Sequence, residues 1–553
     1  MVAVSKTIEA CCSPVEKVFF WAQRKPDSVF LRHPQTDGSI RDYTWSAAAA
    51  QVAAVAASFR ELGLSKGDRV AILAANSPHW LMADLAIQLA GCISLPVYTS
   101  MSADGVSHVV DSCKPGALIL GAAPNWSEVE GCFGTDCPVV SIPGCSHDDA
   151  RYQWEELRQR NDGNEPDVFP DLDDHYTILQ TSGSTGTPKG VVQTFRCPVV
   201  SGYDFATTYR TGESARFVSY LPLAHAGERT LILGCCIHGG GTLYFAGPPE
   251  GFLSDLQNAR PTFFLGVPRI WEKLRQAALA HFADRIDADA DSSVRGEIQA
   301  FLGFDELDTG ATGGAPMPPE LNRWYRDLGL DILEIYASSE IASAIVSTHE
   351  HHREGSVGRA LPNVDVKIAD DGEIVIRSAS QMLEYYGEPE KTRQTTIDGW
   401  VHTGDMGRLD SEGYLYITGR LKDIYKTTKG KYVAPLPVER NFAGNKLLEQ
   451  VCLVGEGLAQ PVLVAQKSAV VESLSREEVE KQLSEMLASV NAKLQKHERI
   501  EFIILSDVEW NEANGLCTHS MKIKRANVED KYKGVIGELY PSMQGSDSVV
   551  YWQ

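Results

Sequence analysis

The segment QTSGSTGTPKGVVQ, residues 180–193, gathers glycines, hydroxyl side chains and one lysine between two apolar stretches. Hydroxyls and closely spaced backbone N–H groups suit phosphate oxygens, and glycines let a phosphate come close to the chain. The best-known loop of this kind reads G-x-x-x-x-G-K-[ST] and opens a helix. Here Lys189 follows Pro188, and Gly190 stands where the serine or threonine belongs. GVVQTF follows, β-branched and aromatic, and so predicts a strand. YTILQ before it is strand-like too, so the loop is expected to join two strands instead of capping a helix. Taken alone, such a stretch is equally well explained as a flexible turn.

The elements around it indicate an α/β protein. WSAAAAQVAAVAASFREL and SPHWLMADLAIQLA predict helices, whereas DRVAILAA and GCISLPVYT predict strands. Their alternation favours largely parallel sheets. NDGNEPDVFPDLDDH is expected to be a surface loop. A boundary is expected near residue 420, dividing a large N-terminal domain (1–420), with mixed and parallel sheets in several subdomains, from a small α+β C-terminal domain (421–553). In the latter, QPVLVAQK and EFIILS predict strands. REEVEKQLSEMLASVNAKLQKH predicts a helix with Val479, Leu483, Met486, Leu487, Val490 and Leu494 on one face.

At 553 residues, several domains are the expectation. A net charge of -22 argues against nucleic acid or an anionic membrane as partner, so an anionic ligand needs a locally basic pocket. Twelve cysteines without a C-x-x-C pair suit a reduced, cytoplasmic setting, and the adjacent pairs Cys11–Cys12 and Cys235–Cys236 are expected to be packing residues. The N-terminus lacks a charged-then-apolar leader, and SAAAAQVAAVAASF is too short to span a bilayer. A soluble protein with no transmembrane segment is expected. Oligomeric state stays open, a homodimer included.

Five further segments accompany the loop: TGGAPMP (312–318), EIYASSE (334–340), GWVHTGDMGRLDSEGYLYITGRLKD (399–423), KGKYVAP (429–435) and THSMKIKR (518–525). Together, over nearly the whole chain, they resemble the adenylate-forming enzymes: acyl-CoA synthetases, adenylation domains and firefly luciferase. SYLPLAHAGER, KGKYVAP and MKIKR look most like the long-chain fatty acyl-CoA synthetase branch. That chemistry has a physical logic. A carboxylate is a poor electrophile, and attack on the α-phosphate of ATP converts it to an acyl adenylate with AMP as a good leaving group. A site for it must hold the triphosphate, orient the ribose and neutralise charge at the α-phosphate.

The resemblance implies roles for particular residues. Thr181, Ser182, Gly183, Ser184, Thr185 and Gly186 would wrap the β- and γ-phosphates, with Lys189 near by. Glu340 would bind magnesium, with Thr181 as a second ligand. Gly314, Ala315 and Pro316 would flank adenine opposite the Tyr336 ring, and Glu334 and Ser339 belong to the same nucleotide site. Asp405 would accept hydrogen bonds from the ribose hydroxyls with Arg420 as partner, Lys422 would be the hinge, and Lys426 would serve the thioester-forming half. Lys522 would reach the α-phosphate and the carboxylate, with Lys524 and Arg525 as flanking surface charges. His225 would lie beside the acyl and adenylate groups, although a hydrogen-bonded core histidine fits nearly as well. Arg420, Lys422, Lys426, Lys429, Lys431 and Arg440 form the basic stretch an anionic ligand requires.

Some positions depart from the family pattern. Ala337 and Ser339 replace glycine and threonine, Lys429 stands where a glycine is common, and His519 and Ser520 replace proline and threonine. THEHH (348–352) has no zinc-binding spacing. The expected activity is ligation of a medium- or long-chain fatty acid to CoA, using ATP and Mg2+, through acyl-AMP. An aryl or other acid, or a carrier-protein thiol, is the alternative.

Overall fold

The computed structural model describes residues 12–35, 37–145, 150–161, 166, 168–182, 188–282, 292–442, 444–518, 522–543 and 549–553. The predicted helices form where capping side chains start them. Thr44 accepts from Ala47 N–H to open Trp45–Glu61, and Ser77 accepts from Trp80 N–H with Pro78 at the first position to open Pro78–Leu89. Every residue of Pro78–Leu89 is buried, which explains its lack of a polar face.

That helix packs on an eight-stranded sheet. Its order is Glu384–Tyr385, Pro188–Thr194, His175–Ser182, Ile93–Val97, Arg69–Leu73, Ala117–Leu120, Val139–Ser141 and Tyr152–Gln153. Pairing is parallel from His175–Ser182 onward, and antiparallel where Pro188–Thr194 meets its two neighbours. The expected strand–loop–strand is therefore a hairpin at the antiparallel edge of a parallel sheet. Thr181 lies opposite Lys189, and Ser182 opposite Pro188.

A five-stranded sheet carries three parallel strands, Phe263–Gly266, Thr309–Gly313 and Ile332–Ser338, followed by antiparallel Ala342–Val346 and Arg359–Ala360. In a further, antiparallel sheet, Trp400–Leu409 pairs with Leu415–Arg420. The C-terminal part has its own four-stranded mixed sheet, Leu448–Val454, Val462–Lys467, Ile503–Ser506 and Val550–Trp552. Helix Arg476–Lys493, opened by a Ser475–Glu478 capping box, buries Val479, Leu483, Leu487 and Val490 against it, with Met486 and Leu494 at the margin. The two cores on this sheet draw only on residues from Tyr425 to Trp552. Cys235 and Cys236 are buried packing residues with free thiols. Among the described residues no helix is long and apolar enough to cross a membrane.

Candidate active site

The candidate cleft is bordered by Lys189 of the hairpin, Glu340 after the strand Ile332–Ser338, Asp405 and Arg420 of the paired strands Trp400–Leu409 and Leu415–Arg420, and Lys522 of the C-terminal part. Each wall is positioned by local chemistry. The turn after Ile332–Ser338 holds Glu340, whose N–H donates to Ser338 Oγ at 3.3 Å and whose carbonyl accepts from Met382 N–H at 2.7 Å. Ala342 closes this turn at φ 52°, a left-handed conformation that costs a non-glycine residue about 1 kcal/mol or more. The Tyr385 hydroxyl donates to Glu340 Oε1 at 2.9 Å. Lys189 Nζ lies 5.0 Å from the centre of the same ring. Burial first, then the cations Lys391 and Lys422, hold Lys189 below the ordinary lysine value, with Glu340 and Glu388 opposing. Thr181 is half-buried, its hydroxyl donating to the Lys189 carbonyl at 3.4 Å. Gly183, Ser184, Thr185 and Gly186 lie outside the described residues, as do His519 and Ser520.

At the other end, Asp405 accepts from Arg420 Nε at 3.0 Å and from the Tyr336 hydroxyl at 2.7 Å. Tyr336 is thus a buried residue with a polar task, and burial raises its hydroxyl pKa well above the usual value. The HTGD turn is built for this carboxylate. Glu373 accepts from Gly404 N–H at 2.7 Å and contacts His402 Nδ1 at 2.6 Å, while Asp405 N–H donates to Thr403 Oγ1 at 3.1 Å. Gly404 has φ +73°, the conformation glycine supplies most easily. Gly314 and Ala315 are exposed and Pro316 half-buried, Gly314 turning at φ +77°. Ser339 contributes its carbonyl to Gln193 Nε2 at 2.9 Å.

Lys522 enters from the C-terminal part. A short bridge between Cys517 and Ile523, with Thr518 N–H donating to Lys522 O at 2.8 Å, presents it. Lys522 is exposed, and its ammonium lies within electrostatic reach of Arg420, Glu340 and Asp405. Desolvation of the ammonium, then Arg420, depress its pKa, and the two carboxylates oppose them. Lys426 is carried instead on the exposed face of the hairpin Tyr425–Lys426/Tyr432–Val433, whose Tyr425 and Val433 are buried, and its ammonium lies 5.6 Å from the Tyr432 ring centre. Lys422 is exposed beside Arg420.

The basic stretch does not form one solvated face. Arg440 is turned inward toward Glu334, whose pKa burial pushes up to about 7. Arg525 corrects an expectation. It is no surface charge but an internal clamp, donating to Leu453 O at 2.8 Å and to Glu439 Oε2 at 3.0 Å. A guanidinium with several fixed donors can tie a strand to a carboxylate, which sequence adjacency to Lys522 does not signal.

His225 accepts from Gly227 N–H through Nδ1 at 3.1 Å, which leaves the proton of the neutral ring on Nε2. Asn76 fixes the loop before it, donating to Leu221 O at 2.6 Å and accepting from Leu223 N–H at 2.9 Å. A π-helical turn, Glu228–Leu233, follows. Glu228 is fully buried with neither oxygen in hydrogen-bond geometry; the Ser219 hydroxyl eases part of the cost, and its pKa rises to about 8. Arg229 Nη2 donates to both Asp84 carboxylate oxygens at 2.8 and 2.9 Å, while Nε bonds the Tyr176 hydroxyl and Nη1 bonds Thr177. The Arg229–Asp84 pair borders a small cavity of mixed lining, where Lys17, Gln88 and His238 stand among Leu81, Leu85 and Leu233.

Glu340 and Lys189 thus stand on one side, the Asp405–Arg420 pair on another, and Lys522 lies within electrostatic reach of Glu340, Asp405 and Arg420. Residues 18–386 match the family described as AMP-binding enzyme, and residues 422–544 match the AMP-binding enzyme C-terminal domain. The chain belongs to the AMP-binding enzyme family. Among similar AMP-binding enzymes is fatty acyl-CoA synthetase A of Dictyostelium discoideum, 28% identical over 93% of this chain and 89% of that one. Another is long-chain-fatty-acid–CoA ligase FadD15 of Mycobacterium tuberculosis, 28% identical over 95% and 96%. The fold is shared with the adenylation domain of a Mycobacterium chelonae carboxylate reductase, at TM-score 0.82, 19% identity and coverage of 98% and 94%. It is shared as well with an anthranilate CoA ligase bound to anthranoyl-AMP, at TM-score 0.79, 20% identity and coverage of 95% and 98%.

Magnesium fits the residues present only as a shared ligand. No cluster of three or more acidic, histidine or cysteine side chains suited to a metal occurs among the described residues, so Glu340 would act with phosphate oxygens, the usual arrangement for this ion.

Proposed function

We propose that this chain is a cytoplasmic, ATP-dependent fatty acid–CoA ligase. The observation that carries this reading is the match of residues 18–386 and 422–544 to the AMP-binding enzyme family, supported by the electrostatic reach of Lys522 to Arg420, Glu340 and Asp405. The names of the two relatives support the acid and the thiol.

In the first half-reaction, a substrate carboxylate oxygen bonds to the α-phosphorus and the bond to pyrophosphate breaks. Lys189 and the 181–186 loop hold the β- and γ-phosphates. Asp405 accepts from the ribose hydroxyls, with Arg420 and Tyr336 orienting it, and the Gly314–Pro316 wall and Tyr336 border adenine. Glu334 lies beneath, and Ser339 holds the turn that carries Glu340. Lys522 offsets negative charge on the α-phosphate and carboxylate oxygens. Its compact ammonium on a flexible stem can bridge two oxygens. When bound through Glu340, and Thr181 as a second ligand, magnesium supplies charge neutralisation to the phosphates. His225 offers its Nε2–H to the acyl or adenylate oxygens.

In the second half, the CoA sulfur bonds to the acyl carbon, AMP leaves, and the thiol proton passes to solvent. We assign residues 1–420 and 421–553 to two domains, with Lys422 at the hinge and Lys426 brought to the site in this half. Pyrophosphate release that depends on a fatty acid and magnesium, with acyl-CoA formed on adding CoA, tests the reading. ADP as nucleotide product overturns it. An acyl chain accepted only by a carrier-protein thiol, or activity with aryl acids alone, replaces the fatty acid–CoA assignment with its alternative.

A further inference from the structure

The phosphate end of the cleft contains a lysine that lies far from the loop in sequence. Lys391 is half-buried on the helix Pro389–Thr395. That helix is fixed to the loop's own sheet. Strand Glu384–Tyr385 pairs with Pro188–Thr194 through Glu384↔Val192 and Tyr385↔Val191. Tyr385 N–H donates to Thr392 Oγ1 at 2.9 Å, and Tyr386 N–H to Gly190 O at 2.7 Å. Gly190 permits this approach, because a Cβ there would meet Ile178 Cγ2 at 2.8 Å and Tyr386 Cβ at 3.2 Å. The segment thus ties Lys391 to the strand that bears Lys189, and the Tyr385 ring beneath Lys189 hydrogen-bonds Glu340.

The charges around Lys189 are Lys391, Lys422, Glu340 and Glu388. Lys391 and Lys422 disfavour the charged form of Lys189, and Glu340 and Glu388 favour it. Glu340 is already oriented by Tyr385, and Glu388 pairs with Lys391 one helical turn away. Both partners of that pair are partly exposed, so Lys391 is held loosely and can exchange its carboxylate for another anion. Lys189 and Lys391, tied to the same pair of strands, thus present two ammonium groups to an anionic ligand in a chain of net charge -22.

We propose that Lys391 is a binding residue for the pyrophosphate half of ATP, transferring from Glu388 to the β- and γ-phosphate oxygens that Lys189 contacts. This rests on the ligase reading above. Fatty-acid-dependent ATP–pyrophosphate exchange measures it, with pyrophosphate as the varied reactant. Lys391→Met is expected to raise the KM for pyrophosphate about tenfold, the worth of one charge-assisted contact. Lys391→Arg should stay within about threefold of the unaltered protein, and conversion of supplied acyl-AMP and CoA should not change in either variant. A pyrophosphate KM within about twofold in an exchanging Lys391→Met protein overturns the proposal alone. Absence of exchange in the unaltered protein with every acid overturns the ligase reading and the proposal with it.

Discussion

Two arginine–aspartate pairs in this molecule have the same chemistry and opposite surroundings. Arg229 and Asp84 are 0% and 1% exposed; the guanidinium lies 5.6 and 4.7 Å from the Trp80 and Tyr176 ring centres, and the pair is bonded further to Thr177 and Gln88. Arg420 and Asp405 meet at the cleft lip, with the arginine 63% exposed and the aspartate 14%. In the interior, each ion has lost its water and depends on its partner, so the pair fixes the fold. At the lip, water competes with the pair, which contributes little to stability and is free to trade one hydrogen bond for a ligand hydroxyl. Surroundings, not residue type, separate a structural pair from a recognition pair.

The comparison predicts unequal costs. Asp84→Asn leaves a buried guanidinium without a counter-ion and should lower stability by about 3–5 kcal/mol in urea unfolding, whereas Asp84→Leu with Arg229→Met should recover most of that loss. A small effect of Asp84→Asn would break the contrast. Glu228, one residue away, sharpens it as a buried acid with no cation. Its pKa rises from the ordinary 4.5 to about 8, so the folded state retains a proton that the unfolded chain has lost. Stability should therefore fall as pH rises from 4.5 to 8, by about 1.4 kcal/mol per unit at most. Glu228→Gln should flatten that slope in unfolding curves at pH 6 and 8. Arg420→Met is the mildest change for the fold, with stability altered by no more than about 0.5 kcal/mol. Its effect should appear in the KM for ATP, raised about tenfold. Equal damage to stability and KM would erase the distinction between the two pairs.

The sequence made one side of this contrast far more legible than the other. Asp405 and Arg420 lie in segments whose order and spacing point to a nucleotide, and the hairpin around Lys189 follows from Pro188 and the β-branched strand after it. Asp84 and Arg229 are 145 positions apart, and nothing local in SPHWLMADLAIQLA marks Asp84 as the one charge in a buried helix. Tyr385 and Glu373 were hidden for a similar reason. Each acts by reaching across strands to orient Glu340 or the HTGD turn, and such partnerships exist only once the sheets form. Arg525 reads as a surface charge beside Lys522 until the fold closes Leu453 and Glu439 around it.

The central claim is that Lys522, held between Arg420 and the carboxylates Glu340 and Asp405, serves adenylation alone. Measuring the two half-reactions separately in Lys522→Ala tests it directly. The account predicts a loss of about 10²–10³-fold in acyl-AMP formation, as for removal of one preorganised charge-stabilising group. Thioester formation from supplied acyl-AMP and CoA should remain near that of the unaltered protein. An equal loss in both halves, or full adenylation without Lys522, would contradict it.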